Sequence, residues 1–232
     1  MTSPDTRVTR APTDSLPRVD TRMIVVVVAM AALGCGVVAW LRTGTYRRAD
    51  EGGPLPAHWW VAPAAPVVGL LVARSLGEHP WPVLLPYLAL VPAGLALAAI
   101  DADVHRLPNA ITLPLVPVEL VLLAGASAGT GNWDLLRRAG LAALLVGGAF
   151  LALAFLLFGR SIGMGDAKLV VPLSAALGWL SWGHVLVGLW LGFVIGGLVA
   201  LGLLLTGRAT KGTHLAFGPY LVAGTLLAVA LA

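Results

Sequence analysis

The stretch "WPVLLPYLALVPAGLALAAIDADVHRLPN", residues 81–109, decides the fold class. Residues 81–100 carry no charged side chain, and Asp101 then ends the apolar run. A helix needs about 20 mostly apolar residues to cross the hydrocarbon core of a bilayer. The stretch therefore predicts a membrane-spanning helix with a carboxylate at the depth where the helix reaches the lipid headgroups.

The rest of the chain repeats this pattern. Hydrophobic residues make up 58% of the chain and charged residues 11%, whereas soluble domains carry about 25% charged residues. The sequence therefore predicts an all-α fold, a polytopic membrane helical bundle of about eight transmembrane helices. The eight apolar runs lie at residues 23–41, 59–76, 82–100, 110–127, 139–158, 168–180, 183–206 and 215–232.

Two of these runs are atypical. Pro63 and Pro66 interrupt the run 59–76, and the run 168–180 is shorter than the roughly 17 residues that a spanning helix needs. Such segments are tolerated in membranes when neighbouring helices cover them. We expect both to be tilted, broken or shielded.

Composition divides the chain into three segments. Residues 1–22 are rich in Thr, Pro, Arg and Asp and predict a disordered tail, and Met23 offers an alternative start. Residues 23–81 hold two membrane helices joined by a short connection, and residues 82–232 hold a core of six helices.

Basic residues predict the orientation of the helices. The odd-numbered connections carry eight of them, Arg42, Arg47, Arg48, Arg106, Arg160, Lys168, Arg208 and Lys211, against Arg74, Arg137 and Arg138 in the even-numbered ones. Cytoplasmic connections are the positive ones, so the odd connections should be cytoplasmic, although the arginines of the tail oppose this orientation. The basic residues form no stripe, which argues against a nucleic-acid partner, and a single cysteine, Cys35, excludes a disulfide framework and a Cys-rich zinc module.

A second carboxylate is predicted at the same depth as Asp101. In "GRSIGMGDAKL", residues 159–169, Asp166 follows Gly163 and Gly165 and opens the sixth run. Glycines at these positions let the backbone adopt positive φ and let a substrate strand lie close to the carboxylate. The helix dipole favours an ionised Asp166, so we hypothesise that Asp166 is the base of the pair.

Paired carboxylates indicate water activation. Two carboxylates in one partly desolvated site do not both ionise cheaply, so an acid and a base coexist near neutral pH. The ionised member can take a proton from water while the protonated member polarises a peptide carbonyl. Each residue also has a structural interpretation, since Asp166 could be a helix cap and Asp101 a solvated helix end. Asp103 is a rival for the first role, but it lies farther out and should be solvated.

Other polar residues have simpler interpretations. Glu119 lies near the middle of the fourth run, where a charge is costly, and we expect a protonated, hydrogen-bonded side chain facing the bundle. Asn109 and Arg106 fit a helix start and a membrane-surface anchor. The glycine-rich run 188–202 predicts close helix packing through small residues.

Three motifs, "IDADVHRLPNAITLP", "GMGDAKL" and "LAFGPYLVAG", occur in an order that resembles the type IV prepilin peptidase family, aspartic proteases of the GxGD type. The resemblance covers roughly residues 82–228. It implies that Asp101, seven residues before Pro108, and Asp166 are the catalytic pair. It also implies that a further set of residues shapes the site or binds substrate: Gly163, Gly165, Lys168, Pro108 and Asn109.

What the resemblance implies is a membrane endopeptidase of the bacterial inner membrane. It would remove the short leader of prepilin or pseudopilin substrates on the cytoplasmic side, for pilus assembly or secretion. Larger members carry a zinc module with paired CxxC motifs after the first span, and many also methylate the new N-terminus. Here the connection "RTGTYRRADEGGPLPAHW", residues 42–59, contains no cysteine. We therefore expect a compact form without metal or cofactor, and the methyltransferase activity is in doubt.

Three other functions remain open. A proton-coupled transporter could use Asp101, Asp166 and Glu119 as relays, but the halves of the sequence show no convincing internal repeat. A presenilin-like protease would predict a Tyr-Asp pair and a Pro-Ala-Leu segment, and neither occurs at the expected place. A catalytically inactive assembly factor is the third.

Overall fold

The computed structural model describes residues 20–157, 163–207 and 216–232, and these residues form eight helices. Each helix corresponds to one of the eight apolar runs, so the predicted all-α polytopic bundle is confirmed. The helices are α1 (Thr21–Leu41), α2 (Val61–Ser75), α3 (Trp81–Val104), α4 (Asn109–Thr130), α5 (Trp133–Leu156, with a π-helical turn at Ala143–Gly147), α6 (Met164–Leu180), α7 (Trp182–Leu205) and α8 (Gly218–Ala230).

Five helices, α1, α3, α4, α5 and α7, are long and apolar enough to cross a membrane. The chain is therefore a multi-pass membrane protein. The two runs predicted to be atypical form the short helices α2 and α6, of 15 and 17 residues, and α2 continues past Pro66 without a break. Eleven of the residues of α6 are buried. As predicted, neighbouring helices shield this short segment.

The first helix begins earlier than the apolar pattern indicates. Thr21 is its first residue, and Asp20 caps it by accepting a hydrogen bond from the Arg22 backbone N–H at 3.0 Å. Asp is a favoured N-cap because its side chain satisfies a backbone donor that has no partner within the helix. Residues 1–19, which hold most of the predicted tail, lie outside the described residues.

The centre of the bundle is formed by α3 and α6. In α3, 78% of the most apolar 18-residue stretch is buried, against 22–33% of the corresponding stretch in each of the other four long helices. Both α4 and α8 pack against α3 and also against α6. The Tyr87 hydroxyl of α3 donates a hydrogen bond to the Ala176 carbonyl of α6 at 3.1 Å. The two helices that carry Asp101 and Asp166 are thus held in place from several sides.

Close packing through glycine occurs where the sequence predicts it. Gly188, Gly192 and Gly196 form a buried stripe along α7. At the crossing with α8, a Cβ atom on Gly224 would lie 2.4 Å from the Gly188 carbonyl oxygen and from the Gly192 nitrogen. Only glycine permits backbones this close, so the predicted packing of the run 188–202 is confirmed in this part.

Consecutive helices are antiparallel, so the bundle has two ends. At one end, α3 finishes and α4, α6 and α8 begin around a cavity, and we call this the cavity end. At the far end, Arg138 near the start of α5 donates hydrogen bonds to the last carbonyls of α6, those of Gly178, Trp179 and Leu180, at 2.5–2.6 Å. A positive side chain at a helix C-terminus satisfies carbonyls that have no partner within the helix.

Candidate active site

The first carboxylate lies in the last turn of α3. Asp101 is only 3% exposed, although it stands next to the end of an apolar run. The helix ends at Val104, and the next residue, His105, adopts the left-handed conformation with φ of 50°. This turn reverses the chain, so the loop to α4 folds back over the end of α3.

The second carboxylate lies in the first turn of α6. Gly163 is extended and directly precedes the helix, and Asp166 is half-buried. A Cβ atom on Gly163 would lie 3.0 Å from the Asp166 Oδ2 atom, and one on Gly165 would lie 3.1 Å from the Leu107 Cβ atom. The two glycines therefore leave room for the carboxylate and for the α3–α4 loop, a tighter arrangement than the predicted space for a substrate strand.

A third element, the start of α8, contributes a backbone donor. The Gly218 N–H donates a hydrogen bond to the Asp101 Oδ2 atom at 3.0 Å. A Cβ atom on Gly218 would lie 2.9 Å from the same oxygen. The sequence alone did not indicate a role for Gly218. Its signal is the "FGPY" segment of the third motif, which places a glycine at a helix start but does not show which carboxylate the helix meets.

All seven predicted site residues line one cavity of about 320 Å³. This volume is far larger than a single water molecule needs. Asp101 and Asp166 are separated by long stretches of sequence, and both face this cavity. The predicted members are Asp101, Pro108, Asn109, Gly163, Gly165, Asp166 and Lys168, and the cavity is also lined by Arg48, His105, Arg106, Leu107 and Met164. Their roles in catalysis stay a prediction.

Lys168 ties two elements of the cavity wall together. Its Nζ atom donates a hydrogen bond to the Asn109 Oδ1 atom at 2.9 Å. Asn109 is the first residue of α4, and Pro108 in extended conformation directly precedes it. The pair therefore joins the start of α6 to the start of α4.

The prediction that Asp103 is solvated is wrong. Its side chain is 6% exposed and forms a two-point salt bridge with Arg47, with nitrogen–oxygen distances of 2.8 and 2.6 Å. The Tyr46 hydroxyl donates a further hydrogen bond to the Asp103 Oδ2 atom at 2.5 Å. Asp103 is dry rather than solvated because the connection between α1 and α2 folds over the end of α3. Its carboxylate points to that connection and does not line the cavity.

The prediction for Glu119 is half right. The side chain is fully buried and faces the bundle, as expected. Neither carboxyl oxygen has a hydrogen-bond partner within the described residues, so the expected hydrogen bond is wrong. Over the same residues, no three His, Cys, Asp or Glu side chains come together in a group that could hold a metal ion.

Both carboxylates have neighbours that interact favourably with a negative charge. Asp166 lies at a helix N-terminus, and Asp101 accepts the Gly218 hydrogen bond. Each carboxylate thus has a neighbour that stabilises its ionised form, and the hypothesis that Asp166 is the base stays a prediction. The geometry supplies two carboxylates, a backbone donor and a cavity of about 320 Å³ at the end of a membrane bundle.

Comparison with known proteins points to one family. The model of the type IV leader peptidase family matches residues 88–201, which include Asp101 and Asp166 but end before Gly218. The chain therefore matches this family over 114 of its 232 residues, as its motifs predicted.

Three curated relatives are prepilin leader peptidase/N-methyltransferases. The protein from Aeromonas hydrophila is 32% identical over 127 residues, which cover 54% of this chain and 42% of that protein. The protein from Burkholderia pseudomallei (strain 1026b) is 33% identical over 162 residues, covering 67% and 50%. The protein from Neisseria gonorrhoeae is 32% identical over 158 residues, covering 67% and 52%. The chain spans about half the length of the curated relatives it matches, and no solved structure matches it significantly.

Proposed function

We propose that this chain is an aspartic endopeptidase that removes the leader peptide from prepilin or pseudopilin substrates. One observation carries the proposal: Asp101 and Asp166, from the two central helices, line the same cavity. The match to the type IV leader peptidase family and the names of the curated relatives support the choice of substrate.

In the proposed mechanism, the pair holds one proton and one water molecule. The ionised carboxylate takes a proton from the water, whose oxygen attacks the scissile carbonyl carbon, while the protonated carboxyl donates a hydrogen bond to the carbonyl oxygen. The tetrahedral intermediate collapses as the carbon–nitrogen bond breaks, and a proton from the pair passes to the leaving amine. The Gly218 N–H holds Asp101 in orientation throughout.

We place this reaction at the cytoplasmic face of the inner membrane. The cavity lies at the ends of helices, where water is accessible, and not in the hydrocarbon centre. The excess of Lys and Arg in the odd connections supports a cytoplasmic cavity end. A site at this depth can reach a peptide bond that directly precedes an apolar helix, as the leader of a prepilin does.

Co-expression with a prepilin that carries its leader tests the proposal. Wild type should shorten the prepilin on a gel, and Asp101→Asn and Asp166→Asn should leave it uncut. Asp134→Asn is a matched control, because it removes an exposed carboxylate at the far end. Cleavage by both Asp101→Asn and Asp166→Asn would refute the assignment of the pair.

Two further outcomes would redirect the assignment. Cleavage that is lost in Asp103→Asn and kept in Asp101→Asn would move the first catalytic carboxylate to Asp103. Absence of any peptidase activity, together with a proton-linked flux in vesicles that contain the purified protein, would favour a transporter.

A further inference from the structure

The connection between α1 and α2, residues 42–60, folds against the cavity end, and we call it the strap. Its first anchor is the salt bridge between Arg47 and Asp103, in the last turn of α3. Arg47 also donates hydrogen bonds to the strap's own carbonyls of Gly53 and Pro54, at 2.9 and 3.2 Å. One guanidinium thus folds the strap and attaches it to the helix that carries Asp101.

The second anchor joins the strap to the α3–α4 loop. Arg106 contacts the Glu51 carboxylate at two points, with nitrogen–oxygen distances of 2.5 and 2.7 Å. The same guanidinium donates to the Tyr46 carbonyl at 2.9 Å, and Glu51 accepts the Arg48 backbone N–H at 2.8 Å. The sequence favoured a membrane-surface anchor for Arg106. In the structure its charge is paired within the protein, and two-point Arg–carboxylate contacts are the geometrically specific kind.

The residue after Arg106 contacts a direct neighbour of each carboxylate. Leu107 is buried, and it occupies the space that a Cβ atom on Gly165 or on Gly218 would need, at 3.1 and 3.3 Å. Gly165 directly precedes Asp166, and Gly218 binds Asp101. A shift of Leu107 would therefore displace both neighbours of the carboxylates.

The backbone between the two anchors is strained. Over residues 20–157, 163–207 and 216–232, the only non-glycine residues with positive φ are His58, in the strap, and His105, between Asp103 and Arg106. The left-handed conformation costs about 1–2 kcal/mol for such residues. It persists only where the surrounding contacts enforce it. The two ion pairs flank His105 and supply such contacts.

We propose that the strap positions the catalytic pair. Arg47 and Glu51, through Asp103 and Arg106, fix the α3–α4 loop. Leu107 is thereby fixed against Gly165, which precedes Asp166, and Gly218, which binds Asp101. Arg106, Glu51, Arg47 and Asp103 are then positioning residues. The inference rests on the proposed peptidase function for its kinetic test. The strap also brings Arg48 to the cavity wall.

The charges of the strap suit this role. The hydrogen bonds from Arg106 lower the pKa of Glu51 from its ordinary value of 4.5 to about 2. Burial and the hydrogen bond to Asp103 raise the pKa of Tyr46 to about 12. The anchors therefore keep their protonation states across the neutral range.

A charge-swap series measures the positioning effect. Purified wild type, Arg106→Glu, Glu51→Arg and the double variant are compared for kcat and KM on a purified prepilin, with thermal unfolding to measure the folded fraction. Because misplacement by about 1 Å can cost 100-fold in rate, each single variant should lose about tenfold or more in kcat, with KM within about twofold of wild type. The double variant should recover most of the loss. The matched swap of Arg137 and Asp134, an exposed pair at the far end, should change neither constant.

A crosslinking measurement tests the same inference without activity. In a Cys35→Ser background, the double variant Leu107→Cys with Gly165→Cys should form a disulfide, because the two Cβ positions are adjacent. Adding Arg106→Glu should reduce the yield severalfold, and adding Glu51→Arg as well should restore it.

The outcomes separate the two proposals. If wild type fails to cleave prepilin, the proposed function fails and the crosslinking yield alone decides on the strap. The strap inference is overturned if folded single variants keep the wild-type kcat, if the double swap restores neither kcat nor crosslinking, or if the Arg106→Glu yield equals that of its parent.

Discussion

The two ends of the bundle use arginine in different ways. At the far end, Arg138 binds three carbonyls at the end of α6, and Arg22 binds the Gly77 and His79 carbonyls at 2.6 and 2.5 Å. At the cavity end, Arg47 and Arg106 bind carboxylates of side chains. The far end thus completes the backbone hydrogen bonds of its helices, whereas the cavity end fixes a loop beside two desolvated carboxylates. We infer that the contacts at the far end stabilise the fold. At the cavity end, the fold accepts the energetic cost of burying carboxylates because they serve the proposed reaction.

The greatest loss of activity is expected for the two carboxylates at the cavity end. Asp101→Asn or Asp166→Asn should lower kcat by about 100- to 10,000-fold, the range that a positioned acid or base contributes. The thermal midpoint in detergent should stay equal or rise, because a neutral amide replaces a desolvated carboxylate. A fall in the midpoint that accounts for the lost activity would make the pair structural.

The opposite result is expected at the far end. Arg138→Met should lower the free energy of unfolding by about 2 kcal/mol, since three charge-assisted hydrogen bonds are lost and their carbonyls are left without a partner. The activity per folded molecule should be unchanged. Denaturation in detergent and peptidase assays on the same samples measure both quantities. A lowered kcat with wild-type stability would break the division between the two ends.

A single methyl group tests how tightly the cavity end is built. Gly218→Ala places a Cβ atom 2.9 Å from the Asp101 Oδ2 atom, so the carboxylate must shift by a few tenths of an ångström. We expect kcat to fall by about tenfold. Gly36→Ala is the matched control, because a Cβ atom there has no neighbour within 4 Å among the described residues. Equal kinetics for the two variants would show that the carboxylate tolerates displacement.

The smallest effect concerns the pH dependence of the strap. Glu51 has a lowered pKa of about 2 because of Arg106, so its contribution to stability is complete above pH 4.5 and is lost as the pH falls toward 2. The thermal midpoints of wild type and Glu51→Gln should therefore differ most above pH 4.5 and converge below it. A difference that is constant from pH 7 to pH 2.5 would contradict the ion pair.

Local patterns in the sequence predicted the helices and the candidate pair. A spanning helix needs a continuous apolar run, so the position of Asp101 at the end of such a run follows from the sequence alone. The motif around Asp166 likewise combines glycines and a helix start within a few residues. Both residues face the same cavity because α4 and α8 bridge the helices that carry them.

Long-range side-chain contacts could not be predicted in this way. Asp103 was expected in solvent because it lies farther out than Asp101, and its partner Arg47 lies in a polar connection with no periodic pattern. Glu119 was expected to be hydrogen-bonded on general cost grounds, which do not specify a partner. For Gly218, the sequence places a helix start, but the approach to Asp101 depends on the packing of α8 against α3.

The short helices have a consequence for how the membrane meets the protein. At 1.5 Å per residue, the 17 residues of α6 rise about 26 Å and the 13 of α8 about 20 Å, less than the roughly 30 Å of hydrocarbon in a bilayer. Such mismatch is relieved by local thinning or by longer neighbours. We therefore expect the Asp166 and Gly218 backbones to lie in a recess of the membrane surface that water can enter. A substrate whose apolar helix stays in the lipid could then reach this recess with the residues that precede the helix.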